Sequence, residues 1–246
     1  MIDKKLTEKI YKLSEKYSAT GQDLYSYLDG LLYSDYVGYW DYIKLDTLLS
    51  LQCPKTDFPD EKIFIIYHQI TELYFKLCLS EIEQINQNSR NVLDSGEDLG
   101  WKNNMTLEDF ILRLTRVNRY FDHLINSFEI MIKGMDKQEF LKFRMALLPS
   151  SGFQSVQFRM IEIRSTSISE LIAIESKSKN ADSAYENIYW KQGASELSTG
   201  KKTYTLKQFE KKYDQQLLNM CKKMKGNNVW EKYKNLSKTD QKNKKL

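Results

Sequence analysis

The chain has 246 residues, 41 % of them apolar and 28 % charged, with a formal net charge of +4. That is the balance of an ordinary globular protein with one sizeable core, and it excludes collagen-like, low-complexity and disulfide-stapled classes. Cys53, Cys78 and Cys221 lie far apart with no Cys-x-x-Cys pair, and no apolar run reaches membrane length, so a reducing, cytoplasmic setting without membrane insertion is expected.

Helical periodicity runs through the whole sequence, and strand-like alternation is scarce. Residues 4–18 and 22–33 read as two short helices, followed by a Tyr-rich irregular stretch from Ser34 to Trp40. Asp41 to Gln52 reads as one helix, closed by Cys53-Pro54. The strongest element spans Asp60 to Gln87; its first half, Ile63 to Tyr67, is apolar on all sides, the mark of a buried helix. Residues 88–105, rich in Asn, Ser, Gly and Asp, read as a loop. Leu114, Val117, Phe121, Leu124, Phe128, Met131 and Met135 then step by threes and fours, which predicts one long amphipathic helix.

Asp136 to Leu148 reads as a shorter helix ending at Pro149, and Phe153 to Ile174 as another. Residues 176–204 are polar, with Tyr185, Tyr189 and Trp190 expected to dock on the body. Leu206, Phe209, Tyr213, Leu217, Met220 and Met224 mark a last helix, stopped at Gly226. The fold class is all-α, a bundle of long helices, with a helical domain over 1–204, a helical extension of it over 205–236 and a disordered tail over 237–246. The tail lysines lack interleaved aromatics and read as solvated rather than as a nucleic-acid surface.

Chemistry has few carriers. There are two histidines and no Glu-x-x-His, which removes a di-iron bundle site. His123 shares a face with Arg116, Arg119 and Ser127, off the apolar stripe, and reads as solvent-facing. His68 lies one turn after Phe64 and one turn before Glu72. It is either a locally satisfied core histidine or a pocket histidine beside an aromatic wall. Glu72 on the same helix needs a donor or cationic partner. Arg144 follows Phe140 by one turn, just before Pro149-Ser150-Ser151-Gly152. It either grips a ligand carboxylate with its guanidinium fork or makes an inter-helix salt bridge, with Glu72 or Glu162 as partner.

Three stretches carry a family resemblance. Phe64-Ile65-Ile66-Tyr67-His68-Gln69-Ile70-Thr71-Glu72-Leu73-Tyr74-Phe75-Lys76 is one, and Phe143-Arg144 through Pro149-Ser150-Ser151-Gly152-Phe153-Gln154-Ser155-Val156-Gln157-Phe158-Arg159 is the second. The third is Tyr39-Trp40-Asp41-Tyr42-Ile43-Lys44-Leu45-Asp46. In this order and spacing they resemble the tryptophan 2,3-dioxygenase family, over residues 36–165.

The resemblance implies a heme-dependent insertion of O2 into the indole ring of L-tryptophan, giving N-formylkynurenine, by a homo-oligomer. It assigns His68 to the indole nitrogen and Phe64 to the substrate ring. Arg144 falls on the substrate carboxylate, and Ser151 and Gly152 on the turn beside heme and substrate. Tyr39, Tyr42 and Ile43 match residues that a neighbouring subunit lends to the pocket.

The sequence departs from the family pattern twice. Phe140 stands where the family usually has a Tyr that supports the carboxylate contact. The family's proximal His, late in the chain before a Thr-Gly-Gly motif, has no counterpart after His123. The sequence is then either a piece that stops early or a lineage that lost or replaced its ligand; Cys221 and His123 are the conceivable replacements. Two alternatives stay open beside the family activity: a heme-dependent oxygenase of another aromatic amino acid or indole, and a non-catalytic helical binding module.

Overall fold

The computed structural model describes residues 3–34, 38–144, 154–172, 181–192 and 201–236. The chain divides into two compact units, residues 1–52 and 53–246. It is all-α apart from one small hairpin among the described residues, as the periodicity predicts. No described helix is long and apolar enough to cross a membrane.

In the first unit, α1 (Lys4–Ala19) starts at Asp3, whose carboxylate accepts from the Lys5 amide, and α2 (Leu24–Tyr33) starts at Asp23, which accepts from Tyr25 and Ser26. Gly21, at φ +68°, makes the turn between them, and Tyr17 meets Tyr27 edge-on at 4.6 Å. The single helix expected over 41–52 is instead two, α3 (Tyr39–Tyr42) and α4 (Leu45–Leu49). Lys44 between them sits in the left-handed region, at φ 55° and ψ 46°, and breaks the backbone ladder. No residue of α1 to α4 is buried.

The second unit is organised by α5 (Asp60–Asn86), 27 residues without Gly or Pro and with Asp60 and Glu61 in its first turn, where they complement the helix dipole. Glu61 is buried and closes the preceding loop, accepting from the Lys55 and Thr56 amides at 2.8 Å and from the Thr56 hydroxyl. Burial pushes its pKa up, but those three hydrogen bonds and the Lys55 charge together hold it below the usual carboxylate value.

Residues 88–105 are not all loop. β1 (Arg90–Val92) and β2 (Asp98–Trp101) pair antiparallel. Asn88 and Ser89 enter the hairpin with positive φ, and Arg90 stacks 4.1 Å over the Trp101 ring. The turn composition hid strands this short.

α6 (Leu107–Ser127) begins at the Thr106 cap and ends earlier than its apolar pattern suggests. The Ser127 hydroxyl bonds back to the Leu124 carbonyl at 3.0 Å, and the chain bends into α7 (Glu129–Lys133). Then come α8 (Lys137–Phe143), capped by Asp136, and α9 (Val156–Ser165), capped by Ser155. A 3-10 turn (Ile168–Leu171) and the short helices α10 (Ala181–Glu186) and α11 (Tyr189–Gln192) follow. α12 (Tyr204–Met224) ends before Gly226, at φ +74°, and α13 (Val229–Asn235) follows it.

Cys78, Ile82, Val117 and Ile161 form the core between α5, α6 and α9. A second core joins α9, α10, α11 and α12 through Ile163, Tyr185, Ile188, Trp190, Leu206 and Leu217. Tyr185 and Trp190 dock on the body as expected. Lys191 is held in that core by Glu186, Glu210 and Asp214 at 3.0–3.3 Å.

The first half of α5 is not buried all round. Ile66, Ile70, Leu73 and Leu77 stand 39–49 % exposed along one stripe, while Tyr67 is covered. α6, α8 and α9 lie against one side of the helix only, and its apolar arc is wider than they cover.

Candidate functional site

The three aromatic residues that line this face come from two helices. Phe64 projects from α5, and Phe140 and Phe143 from α8. Phe143 is fully buried and meets both others edge-on, Phe64 at 5.8 Å and Phe140 at 5.5 Å. Phe64 and Phe140 lie 6.3 Å apart. These are the separations that aromatic pairs prefer. α8 is anchored at its start as well: the Asp60 amide donates to Glu139 at 3.3 Å, and the Asp136 amide donates to the Asp60 carboxylate.

His68 stands one turn along from Phe64, its ring tilted over the phenyl at 4.0 Å. Its Nδ1 lies 2.8 Å from the Phe64 carbonyl oxygen. A carbonyl only accepts, so Nδ1 carries the proton. In the neutral ring, Nε2 then presents a lone pair outward from an exposed side chain. The two sequence readings of His68 thus combine: one nitrogen is satisfied locally, and the other is offered to a ligand.

Arg144 follows Phe143 at the end of α8, exposed, with its guanidinium carbon 5.6 Å above the Phe140 ring. The salt bridges considered for it do not form. Glu72 accepts from Gln157 and Glu162 pairs with Arg159, so neither acid is spent on Arg144. The structure therefore brings Phe64, His68, Phe140 and Arg144 together, with a free lone pair and a cation on an aromatic face. Ser151 and Gly152 lie outside the described residues. Tyr39 and Tyr42, in the first unit, are 72 % and 80 % exposed, and Ile43 is half-buried.

Sequence reasoning missed Phe143, the base of the wall, although it stands inside a quoted motif. It also missed the work of two more residues of that motif, Gln157 and Arg159. Arg159 is buried, donates to the Tyr189 hydroxyl at 2.9 Å, pairs with Glu162 at 3.1 Å and lies over the Trp190 ring. Burial raises the Glu162 pKa against the opposing pull of Tyr189 and Arg159.

A comparison with known families decides the kinship: the model of the tryptophan 2,3-dioxygenase family matches residues 29–245. The chain belongs to the tryptophan 2,3-dioxygenase family. A tryptophan 2,3-dioxygenase of Ruegeria sp. (strain TM1040) is 41 % identical over 130 residues, 53 % of this chain and 42 % of the relative. One from Bradyrhizobium diazoefficiens is 34 % identical over 130 residues, 53 % of this chain and 42 % of the relative. One from Dictyostelium discoideum is 39 % identical over 131 residues, 51 % of this chain and 30 % of the relative. The matched part thus spans less than half the length of these tryptophan 2,3-dioxygenases.

Of the side chains that commonly hold a heme iron, the sequence has two histidines, His68 and His123. His123 is exposed and lies parallel to the Tyr74 ring, 6.5 Å away. Burial pushes the thiols of Cys78 and Cys221 up to about 11, so without a metal both are neutral at physiological pH. No cluster of three potential metal ligands occurs among the described residues.

Proposed function

We propose that the face built by Phe64, His68, Phe140, Phe143 and Arg144 receives an aromatic amino acid, L-tryptophan by family kinship, as the substrate wall of a tryptophan 2,3-dioxygenase. The observation that carries this reading is the exposed His68 ring 4.0 Å from Phe64 with its Nδ1 on the Phe64 carbonyl, beside a wall whose Phe140 ring carries the Arg144 guanidinium at 5.6 Å. The indole ring stacks on the phenyl wall. The indole N–H donates to His68 Nε2, while Nδ1 stays tied to the Phe64 carbonyl. The substrate carboxylate takes the Arg144 fork. By family kinship Ser151 and Gly152 are further substrate-binding residues.

Heme, when bound, supplies the O2 chemistry of this family. The side chains named here orient the substrate and keep water from it. The relatives are all named for tryptophan, which favours that substrate over another aromatic amino acid.

In the same reading the protein works as a homo-oligomer, dimer or tetramer, in which a neighbouring copy brings Tyr39, Tyr42 and Ile43 to the pocket. The bareness of the first unit, with no buried residue in α1 to α4, supports a covering partner.

Calorimetry with L-tryptophan and with tryptamine, which lacks the carboxylate, tests the proposal. Arg144→Ala should weaken tryptophan by about tenfold or more and leave tryptamine within about twofold. Equal losses for the two would remove Arg144 from the site.

A further inference from the structure

Gln157 joins the two motifs that build the wall. Its side-chain amide nitrogen lies 2.8 Å from the Glu72 backbone carbonyl and 2.8 Å from Glu72 Oε2. That nitrogen has two hydrogens, and both are used. Glu72 is the residue one turn beyond His68 on α5, and Gln157 is in the first turn of α9. The same helix pair continues in Phe75 against Phe158 at 5.3 Å, then in the core contacts of Cys78 and Ile82 with Ile161.

The apolar contacts hold the helices together, but apolar packing tolerates small sliding and rotation. A two-pronged hydrogen bond to a backbone carbonyl and a carboxylate does not. It also gives Glu72 the donor that a half-buried carboxylate needs.

We propose that Gln157 is a positioning residue that fixes the azimuth of the His68 turn and so aims His68 Nε2 across the phenyl wall. The proposal rests on the reading of His68 as the acceptor for the substrate N–H. Gln157 touches no substrate, and its effect passes through Glu72 and one turn of α5.

The test uses the full chain with 15N-labelled histidine, where His68 and His123 give the only two sets of ring signals. Gln157→Glu puts two carboxylates together and removes both donors. Glu72→Gln in that background restores an amide–carboxylate pair in the reverse direction but leaves the backbone carbonyl of residue 72 without its donor. The His68 ring signals should move in Gln157→Glu and come part of the way back in the double variant, while those of His123 stay in place.

Tryptophan affinity should fall roughly tenfold in Gln157→Glu and recover in part in the double variant. Gln157→Met, which keeps the bulk without the donors, gives the same ring readout should the charged variant fail to fold. If the melting temperature drops but the His68 signals do not move, Gln157 is only a brace and the proposal is overturned; a double variant that restores nothing overturns it too. If instead His68→Ala leaves tryptophan affinity unchanged, the site reading fails, and the His68 ring signals alone then decide the role of Gln157.

Discussion

Phe143→Ala removes the ring on which the wall stands. Phe143 is fully buried, and its neighbours Phe64 and Phe140 are fixed on different helices, so the void cannot close by a single side-chain movement. Transfer of the ring to water costs about 2–3 kcal/mol. The two edge contacts add about 0.5–1.5 kcal/mol each, part of it already counted in the burial. The residual cavity brings the expected loss to about 4 kcal/mol. In a unit of this size that lowers the melting temperature by about 10 °C.

Phe143→Leu, which refills most of the volume, should lose only about 1–1.5 kcal/mol. Urea unfolding followed by far-ultraviolet circular dichroism measures both, with the slope against denaturant checked for constancy. A loss below about 1 kcal/mol for the alanine variant would refute the packing of α8 on α5 described here.

Other expectations follow from single contacts. The Glu61 carboxylate has a folded pKa below its unfolded value of about 4.5, so the stability it contributes is present above that value and disappears as pH falls through the folded one. Glu61→Gln should therefore flatten the acid limb of the stability profile below about pH 5 and cost about 2–3 kcal/mol at neutral pH. An unchanged acid limb would contradict this. Cys53 is exposed, Cys221 half-buried and Cys78 fully buried, so a thiol reagent should modify them in that order, with Cys78 reacting only on unfolding. Early modification of Cys78, found by mass spectrometry of peptides, would place α5 wrongly against α6.

Much of this was legible in the residues. Long stretches without Gly or Pro, with apolar steps of three and four, made α5 and α12 readable nearly to their ends and α6 readable as a helix, though not its stop at Ser127. Phe64, His68, Phe140 and Arg144 could be singled out because helical spacing puts each pair on one face before any tertiary contact is known. The misses have local causes. Lys44 adopts a left-handed backbone that no sequence rule assigns to lysine, and the Ser127 back-bond interrupts an unbroken apolar pattern. β1 and β2 are too short to show alternation. The run Ile63 to Tyr67 reads as buried all round, yet Ile66 is 39 % exposed, because an apolar side chain does not by itself fix which face of a helix is covered. Gln157 could not be given its role from sequence, since its partner Glu72 is 85 residues away.

The most direct test of the account is an absorption spectrum during a hemin titration of the chain and of His68→Ala. His68 is held here as the acceptor for a substrate N–H, with its Nδ1 proton on the Phe64 carbonyl, and not as a ligand of iron. The account predicts that neither protein develops a sharp Soret band at one equivalent. A sharp band that disappears in His68→Ala would contradict it, for His68 would then be the ligand of the iron and not the partner of the indole.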